Sequence, residues 1–279
     1  MRWKMNRRIA LSAEKIVRSL RSKGSVVVAF SGGVDSSVVA ALAYRALKDR
    51  ALAVTIDSPL LPSSELRYAK HVARSIGIPH LIVRLNEVEL PGFADNTPKR
   101  CYICKKARFK LLKKIAGERG FETVADGTNA DDLKEYRPGL LALKEEGICS
   151  PLLENNVTKK RSRSLAAFLR LPAAGKPPST CLATRFPYWH RISLEKLRRV
   201  DLAEAYIKRR LGLENSIIRV RDHDGLARIE VSSNILEQVL NEGKLREIAE
   251  RLKKMGFKYV ALDLEGYRPG VFDVESGLL

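Results

Sequence analysis

One stretch near the N-terminus, residues 26–37, constrains the fold more than any other part of the chain. It reads VVVAFSGGVDSS: an apolar run, a turn with two adjacent glycines, and the start of a helical pattern. Glycines at such a turn adopt backbone angles closed to other residues and let the main chain approach a ligand. The free N–H groups of the following helical turn point at the same place, where the helix dipole favours an anion. The stretch therefore predicts a phosphate-binding strand, turn and helix.

The glycine turn differs from the two common nucleotide-binding motifs. The chain has no G-x-x-x-x-G-K-[ST] sequence, and the turn does not match G-x-G-x-x-G. Its spelling, S-G-G-x-D-S, resembles the PP-loop of the ATP pyrophosphatases, which cleave ATP between the α and β phosphates and adenylate a substrate. The resemblance implies that Asp35 and Ser36 act in the reaction and that ATP is bound by Ser31, Gly32, Gly33, Asp35 and Ser36. An ordinary βα turn is the alternative.

Strand and helix patterns alternate over the first two thirds of the chain. Strands are predicted at 25–30, 51–56, 80–85, 122–125 and 148–152, and helices at 12–23, 36–49, 64–75, 101–120, 140–146 and 158–171. This alternation is typical of an α/β fold with a doubly wound parallel sheet. The remaining pattern predicts helices at 193–211 and 235–255 and strands at 216–221, 226–232 and 258–264. We therefore expect a PP-loop domain at 1–190 and a small α+β domain at 191–279.

Polar residues follow two of the predicted strands, at the sheet edge where ligands of such folds bind. Asp57 and Ser58 are candidate nucleoside contacts after the second strand, with a simple turn as the alternative. Gly127 and Thr128, in the segment DGTNADD, are candidate ATP contacts after the fourth. Asp131 can help to hold Mg²⁺ on the pyrophosphate, because hard cations prefer carboxylate oxygens. A helix N-cap is the alternative for this aspartate.

The charge balance favours anionic partners. Lys and Arg number 51 against 32 Asp and Glu, a net charge of +19. Nucleotides, phosphorylated metabolites and RNA are anionic partners that such a surface would bind. The alternative explanation of the charge is the charge-rich surface of a heat-adapted protein. The basic N-terminus lacks the apolar core of a secretory signal, and no apolar run is long enough to cross a bilayer. A cytoplasmic protein without membrane contact is therefore expected.

The four cysteines predict metal or thiol chemistry rather than disulfides. Cys101 and Cys104 form C-x-x-C near a helix start among basic residues, which favours thiolates. Cys181 lies in a proline-rich loop, and Cys149 is predicted to be a buried thiol. Three cysteines can hold a 4Fe-4S cluster with one iron open, whereas zinc would want a fourth ligand such as His190. Spacing alone leaves cluster, zinc and no metal open.

Five segments together resemble the LarE family of ATP-dependent sulfur transferases, which build the nickel-pincer nucleotide cofactor: SGGVDSS, RCYICKKARF, DGTNADD, YRPGLLALKEEGICSPL and KPPSTCLATRFPY. The resemblance covers essentially the whole chain, and the last segment is the most specific. One departure is Trp189, where the family commonly has glycine after the tyrosine. The family adenylates a carboxylate of pyridinium-3,5-biscarboxylic acid mononucleotide and converts it to a thiocarboxylate, so the resemblance implies ATP, Mg²⁺ and a homo-oligomer.

The resemblance implies a sulfur source as well. Members with three cysteines deliver sulfide from a 4Fe-4S cluster, here on Cys101, Cys104 and Cys181, whereas members with only the loop cysteine sacrifice its sulfur. The cluster is the favoured prediction and Cys181 as donor the alternative.

Basic residues of the second half provide candidate contacts to an anionic, nucleotide-like substrate. Arg219 and Arg221 lie two apart on one strand and so share a face, which suits phosphate binding. Glu230 on the next strand can orient an arginine, and Arg185 and Lys176 are further candidates. A PP-loop tRNA-thiolating enzyme is the competing function, and a basic nucleic-acid-binding module with structural zinc is a third. No stable nucleic-acid partner is expected.

Overall fold

The computed structural model describes residues 2–134, 138–241 and 243–277. The helices are α1 Arg2–Arg21, α2 Val34–Leu47, α3 Ser63–Ile76, α4 Arg100–Glu118, α5 Gly139–Glu145, α6 Pro151–Glu154, α7 Lys159–Phe168, α8 Leu194–Leu211, α9 Ser233–Asn241, α10 Leu245–Lys254 and α11 Val271–Glu275. The strands are β1 Val26–Ala29, β2 Ala51–Asp57, β3 His80–Arg84, β4 Thr123–Ala125, β5 Ile218–His223, β6 Leu226–Val231 and β7 Tyr259–Leu262. Tyr136 and Arg137, from the family-like segment YRPG, lie outside the described residues.

The first of two compact units contains Met1–Ser58, Ser63–Leu85 and Cys101–Pro178. Its four strands are parallel and lie in the order β3-β2-β1-β4, so the chain reverses direction across the sheet between β1 and β4. Ligands of open α/β sheets bind at the carboxyl ends of the strands beside this switch point. The doubly wound α/β prediction is confirmed.

Both faces of the sheet are covered, which explains why β1 is apolar throughout. Val26 and Val28 pack into a core with helices α1, α2, α3 and α7. Val27, pointing the other way, packs with Phe109 and Leu112 of α4. Alternate residues of one strand thus supply two separate cores.

Two predictions in this unit are wrong in detail. The first helix spans Arg2–Arg21 rather than 12–23, because no breaker interrupts its pattern before Gly24, which takes a positive φ of 71°. The predicted strand at 148–152 is reduced to one bridge between Cys149 and Ala125. Pro151 cannot donate to a sheet and instead begins the short helix α6.

The second unit contains Pro59–Pro62, Asn86–Arg100 and Ser179–Leu279. Its sheet has the order β5-β6-β7, with β5 antiparallel and β7 parallel to β6. The small mixed sheet with helices confirms the α+β character predicted for this region. The division into domains at residue 190 stays a prediction, and the two units interleave along the chain.

The single helix predicted at 235–255 is wrong. Two helices, α9 and α10, occupy this region, and Gly243 between them has a φ of 65° that no helix accommodates. In the described part of the chain, none of the helices is both long enough and apolar enough to cross a membrane.

Candidate active site

The PP-loop segment connects β1 to α2 at the switch point of the sheet. Gly32 has a φ of 70°, and a Cβ atom there would lie 2.8 Å from the Cα atom of Ala69 on α3. Both its conformation and its contact with a neighbouring backbone therefore require glycine. Gly33 occupies the N-cap position of α2, and no described side chain caps that helix start. The first N–H groups of α2 are thus left for a ligand.

Two hydroxyl groups hold the loop in shape. The Oγ atoms of Ser31 and Ser36 lie 3.1 Å apart, and the N–H of Ser31 donates to the Oγ of Ser36. The N–H of Gly33 donates to the Oγ of Ser31, while the Oγ of Ser36 donates to the carbonyl of Gly33. The loop is therefore closed by its own residues before any anion arrives, which is the preorganisation that charge stabilisation needs.

The loop after β4 packs directly on the start of α2. A Cβ atom on Gly127 would lie 2.7 Å from the backbone nitrogen of Ser36. The Nδ2 of Asn129 donates to Asp35 across 3.2 Å, and Asn129 is fully buried. The PP-loop and the segment DGTNADD thus meet at one place.

Asp35 is a carboxylate in an unfavourable environment. Burial raises its pKa above the ordinary value, and the nearby charge of Asp132 raises it further. An acid whose pKa is higher in the folded than in the unfolded state loses folding stability as the pH rises through that interval. The buried carboxylate of Asp35 therefore opposes folding at neutral pH.

Asp35→Asn is expected to raise the unfolding temperature of the ligand-free protein at pH 7, because the amide carries no charge to bury. The difference from the unsubstituted protein should shrink as the pH falls, because the raised pKa lets Asp35 take up a proton at a higher pH than an ordinary aspartate. Thermal unfolding followed by circular dichroism between pH 4 and 8 measures both. An unfolding temperature lowered equally at every pH would contradict this account of Asp35.

Thr128 and Asp131 are engaged with protein groups. Thr128 donates both its N–H and its hydroxyl to Asp126, which also accepts from Ser150. Asp131 accepts the N–H of Lys159 at the start of α7, and this bond and the charge of Lys134 lower its pKa. The N-cap of α7 is Thr158, and Asp131 accepts the N–H of the residue that follows it. ATP contact by Thr128 and Mg²⁺ binding by Asp131 stay predictions.

Asp57 ends β2 with its side chain 38% exposed and 3.7 Å from Arg84. Ser58 beside it is buried. Their nucleoside contacts stay predictions.

No described group of three or more His, Cys, Asp or Glu side chains is placed to hold a metal ion. Cys101 and Cys104 lie at the start of α4. In the described residues they belong to no such ligand group, so the cluster on Cys101, Cys104 and Cys181 stays a prediction.

The other thiols are placed differently. Cys149 is buried, as predicted, and burial raises its pKa to about 12. Cys181 begins a short 3-10 turn, Leu182–Arg185, and its Sγ accepts the N–H of Ala183 at 3.4 Å. His190, the suggested fourth zinc ligand, pairs with Asp224 at 2.7 Å.

Arg185 holds the turn that carries Cys181. Its guanidinium is bidentate to Glu204, at 2.6 and 3.0 Å, and is 1% exposed. Its Nη1 also donates to the carbonyl of Cys181 and to the hydroxyls of Thr180 and Thr184. The geometry makes Arg185 a support of the cysteine turn, while its predicted substrate contact stays a prediction.

Arg221 contacts the same turn, and Arg219 lies near the carboxylate that pairs with Arg185. The Nη1 of Arg221 donates to the carbonyl of Thr184 at 2.6 Å, and Glu230 on β6 accepts from the same guanidinium, as expected of an orienting carboxylate. Arg219 lies 3.9 Å from Glu204. Burial and the charge of Arg185 lower the pKa of Arg219. The neighbouring carboxylates do not fully neutralise this group of arginines, so the remaining positive charge is suited to binding an anion.

Glu204 is the residue that sequence reasoning missed. It lies on the face of α8 that also buries Leu197, Val200 and Ile207. A charged residue on an otherwise apolar helix face is the signal that would have found it, because a buried carboxylate needs a cationic partner.

Trp189 departs from the family pattern at a position where glycine has a physical advantage. Its φ is 69°, in the left-handed region that bulky residues avoid. Its N–H donates to the carbonyl of Asn96, which fixes the bend after the FPY segment.

Comparison with known proteins agrees with this geometry. The sequence model of the asparagine synthase family matches residues 11–108. An uncharacterized protein of Synechocystis sp. is 43% identical over 88% of this chain and 90% of its own length. The pyridinium-3,5-bisthiocarboxylic acid mononucleotide synthase of Lactiplantibacillus plantarum is 34% identical over 94% of each chain. A tRNA-specific 2-thiouridylase of Rickettsia africae is 30% identical over 56% of this chain and 53% of its own.

Proposed function

We propose a function from the premise that the chain belongs to the family of the pyridinium-3,5-bisthiocarboxylic acid mononucleotide synthase of Lactiplantibacillus plantarum. It is a PP-loop enzyme that uses ATP, of the adenylating sulfurtransferase type. Its proposed substrate is pyridinium-3,5-biscarboxylic acid mononucleotide, whose carboxylates become thiocarboxylates. The observation that carries the proposal is the closed loop of residues 31–36, with uncapped N–H groups at the start of α2.

The first step makes a poor electrophile reactive. A carboxylate oxygen attacks the α-phosphorus of ATP, the bond to the bridging oxygen breaks, and pyrophosphate leaves. The N–H groups of the loop and the hydroxyls of Ser31 and Ser36 would hold the charge that develops on pyrophosphate. The product is an acyl-adenylate, and Mg²⁺ bound with ATP would neutralise part of the phosphate charge.

The second step replaces AMP by sulfur. A sulfur nucleophile attacks the acyl carbon, the bond to the AMP oxygen breaks, and a thiocarboxylate forms. The three-cysteine pattern favours sulfide from a 4Fe-4S cluster, and Cys181 as its own donor is the alternative. Because the described residues do not gather three ligands, we draw no step through a cluster.

The proposed contacts to the substrate phosphate are Arg219 and Arg221, which their buried carboxylate partners hold in place. A substrate with two carboxylates would pass through the reaction twice. The domains proposed at 1–190 and 191–279 would divide this work, the first activating and the second holding the substrate. Assembly as a homo-oligomer is a further part of the proposal.

ATP–pyrophosphate exchange tests the proposed function. Exchange is expected with the biscarboxylate mononucleotide and Mg²⁺, and none is expected when both carboxylates are replaced by carboxamides, which cannot form an acyl-adenylate. Thiocarboxylate formation is then followed by mass spectrometry with sulfide as donor. Absence of exchange and of AMP release with the biscarboxylate would refute the proposal.

A tRNA-thiolating enzyme is the second candidate. The partial similarity to the Rickettsia thiouridylase and the charge of +19 favour it. Release of AMP that depends on unmodified tRNA and not on the biscarboxylate would select it.

A further inference from the structure

Lys176, named above as a further candidate contact, forms an ion pair with a carboxylate of α3. It follows a 3-10 turn, Pro172–Gly175, in the proline-rich segment. Its Nζ lies 2.7 Å from the Oε2 of Glu65 and 4.0 Å from the centre of the Tyr68 ring. The ion pair is well shielded, because the Lys176 side chain is 11% exposed.

The backbone at Lys176 is fixed as well. The Nη1 of Arg163 on α7 donates to the carbonyls of Ala174 and Lys176, at 3.4 and 3.3 Å. A long, flexible side chain on an anchored backbone can redirect its ammonium without moving the chain.

Helix α3 brings this ion pair to the loop. Ala69 of α3 is the residue against which Gly32 packs, with 2.8 Å between the Ala69 Cα and a Cβ placed on Gly32. Glu65 lies four residues earlier, hence on the same face of α3 one turn toward its start. Because α3 follows β2, its first turn lies at the carboxyl-end edge of the sheet, where the loop also lies. Lys176 therefore flanks the ligand side of the loop.

The loop lacks the charge that its ligand needs. The segment SGGVDSS offers N–H groups and hydroxyls but no cation, and Asp35 adds a negative charge close by. ATP and pyrophosphate each carry several negative charges, which a backbone cradle and one Mg²⁺ neutralise only in part. A positioned ammonium strengthens such binding because charge-assisted hydrogen bonds exceed neutral ones.

We propose that Lys176 binds the β and γ phosphates of ATP and then the departing pyrophosphate, and that Glu65 holds its ammonium in place between turnovers. The assignment rests on the proposed use of ATP. It gives the lysine of the segment KPPSTC a role in the activation step, distinct from the sulfur chemistry of Cys181. Adenosine monophosphate, which lacks these two phosphates, should not depend on Lys176.

Isothermal titration calorimetry tests the proposal on the full chain with Mg²⁺. Lys176→Met is expected to bind α,β-methylene-ATP and pyrophosphate about 10- to 100-fold more weakly, the range expected for a lost hydrogen bond from a charged group. Its affinity for AMP should be unchanged. Lys113→Met is the matched control: it also removes a lysine paired with a glutamate, Glu146 at 3.3 Å, on the same unit, and should change none of the three affinities.

Two further variants separate binding from folding. Glu65→Gln keeps the ammonium and removes its partner, so pyrophosphate affinity should be retained or increased. Lys176→Met can also lower the unfolding temperature, which would weaken binding for a different reason. Lys176→Arg keeps the positive charge and should therefore restore most of the pyrophosphate affinity. The assignment is overturned if Lys176→Met binds pyrophosphate as tightly as the unsubstituted protein. It is also overturned if Lys176→Arg binds pyrophosphate as weakly as Lys176→Met. Failure of the unsubstituted protein to bind α,β-methylene-ATP would instead refute the proposed function.

Discussion

Cys181→Ala is expected to keep ATP–pyrophosphate exchange and to lose thiocarboxylate formation by more than about a thousand-fold, the scale seen when a reacting group is removed. In the proposed mechanism the two half-reactions depend on different groups: the loop of residues 31–36 for adenylation and the thiol of Cys181 for sulfur. Exchange of labelled pyrophosphate measures the first, and mass spectrometry of the product measures the second. Unchanged sulfur transfer in this variant would remove Cys181 from the reaction.

The same cysteine decides between the two sulfur routes. If a cluster delivers sulfide, protein purified without oxygen should contain stoichiometric iron that Cys101→Ala loses. If Cys181 gives up its own sulfur, its peptide should lose the mass of hydrogen sulfide after turnover, and Cys101→Ala should still support one turnover. Cys149→Ala is the matched control, because Cys149 is buried with a pKa raised to about 12, and its removal should affect neither readout.

The PP-loop could be predicted because its structure depends on residues that are adjacent in the sequence. Strand, glycine turn and helix start are contiguous in residues 26–37, and each is set by neighbours a few residues away. The parallel, doubly wound sheet followed from the alternation of strands and helices, whereas its order β3-β2-β1-β4 came only from the structure. The predictions were wrong where a single residue determines the backbone conformation. Pro151 begins a helix in place of the fifth predicted strand, and Gly243 ends a helix although the apolar pattern continues beyond it.

The environment of Arg219 and Arg221 could be predicted only in part. Strand periodicity places Arg219 and Arg221 on one face, but it does not reveal that both are 95% buried. Their environment depends on Glu204, which comes from a helix and has no local sequence link to β5. Long-range pairing of buried charges is set by tertiary structure, so a single sequence indicates the candidates and not their partners.

Arg185→Leu is expected to reduce the free energy of unfolding by about 3–5 kcal/mol, because it leaves the carboxylate of Glu204 buried without its bidentate partner. That loss is a large part of the 5–15 kcal/mol typical of a folded protein. Burial opposes ionisation of Glu204, yet the charge and hydrogen bonds of Arg185 keep the pKa of that carboxyl below its ordinary value. The pair therefore stabilises the fold at neutral pH, and its contribution falls as acid protonates Glu204, at a lower pH than for an ordinary glutamate.

A double-mutant cycle in urea separates this ion pair from its effect on the cysteine turn. The cost of Arg185→Leu with Glu204→Leu should be smaller than the sum of the single costs, because neither charge is then left facing an apolar partner. Sulfur transfer should stay low in the double variant, since the carbonyl of Cys181 and the hydroxyls of Thr180 and Thr184 still lack their donor. Additive costs would show that Arg185 and Glu204 do not stabilise each other, whereas normal sulfur transfer in a folded double variant would show that Arg185 does not position Cys181. Pyrophosphate exchange is the internal control, because the loop of residues 31–36 makes none of these contacts.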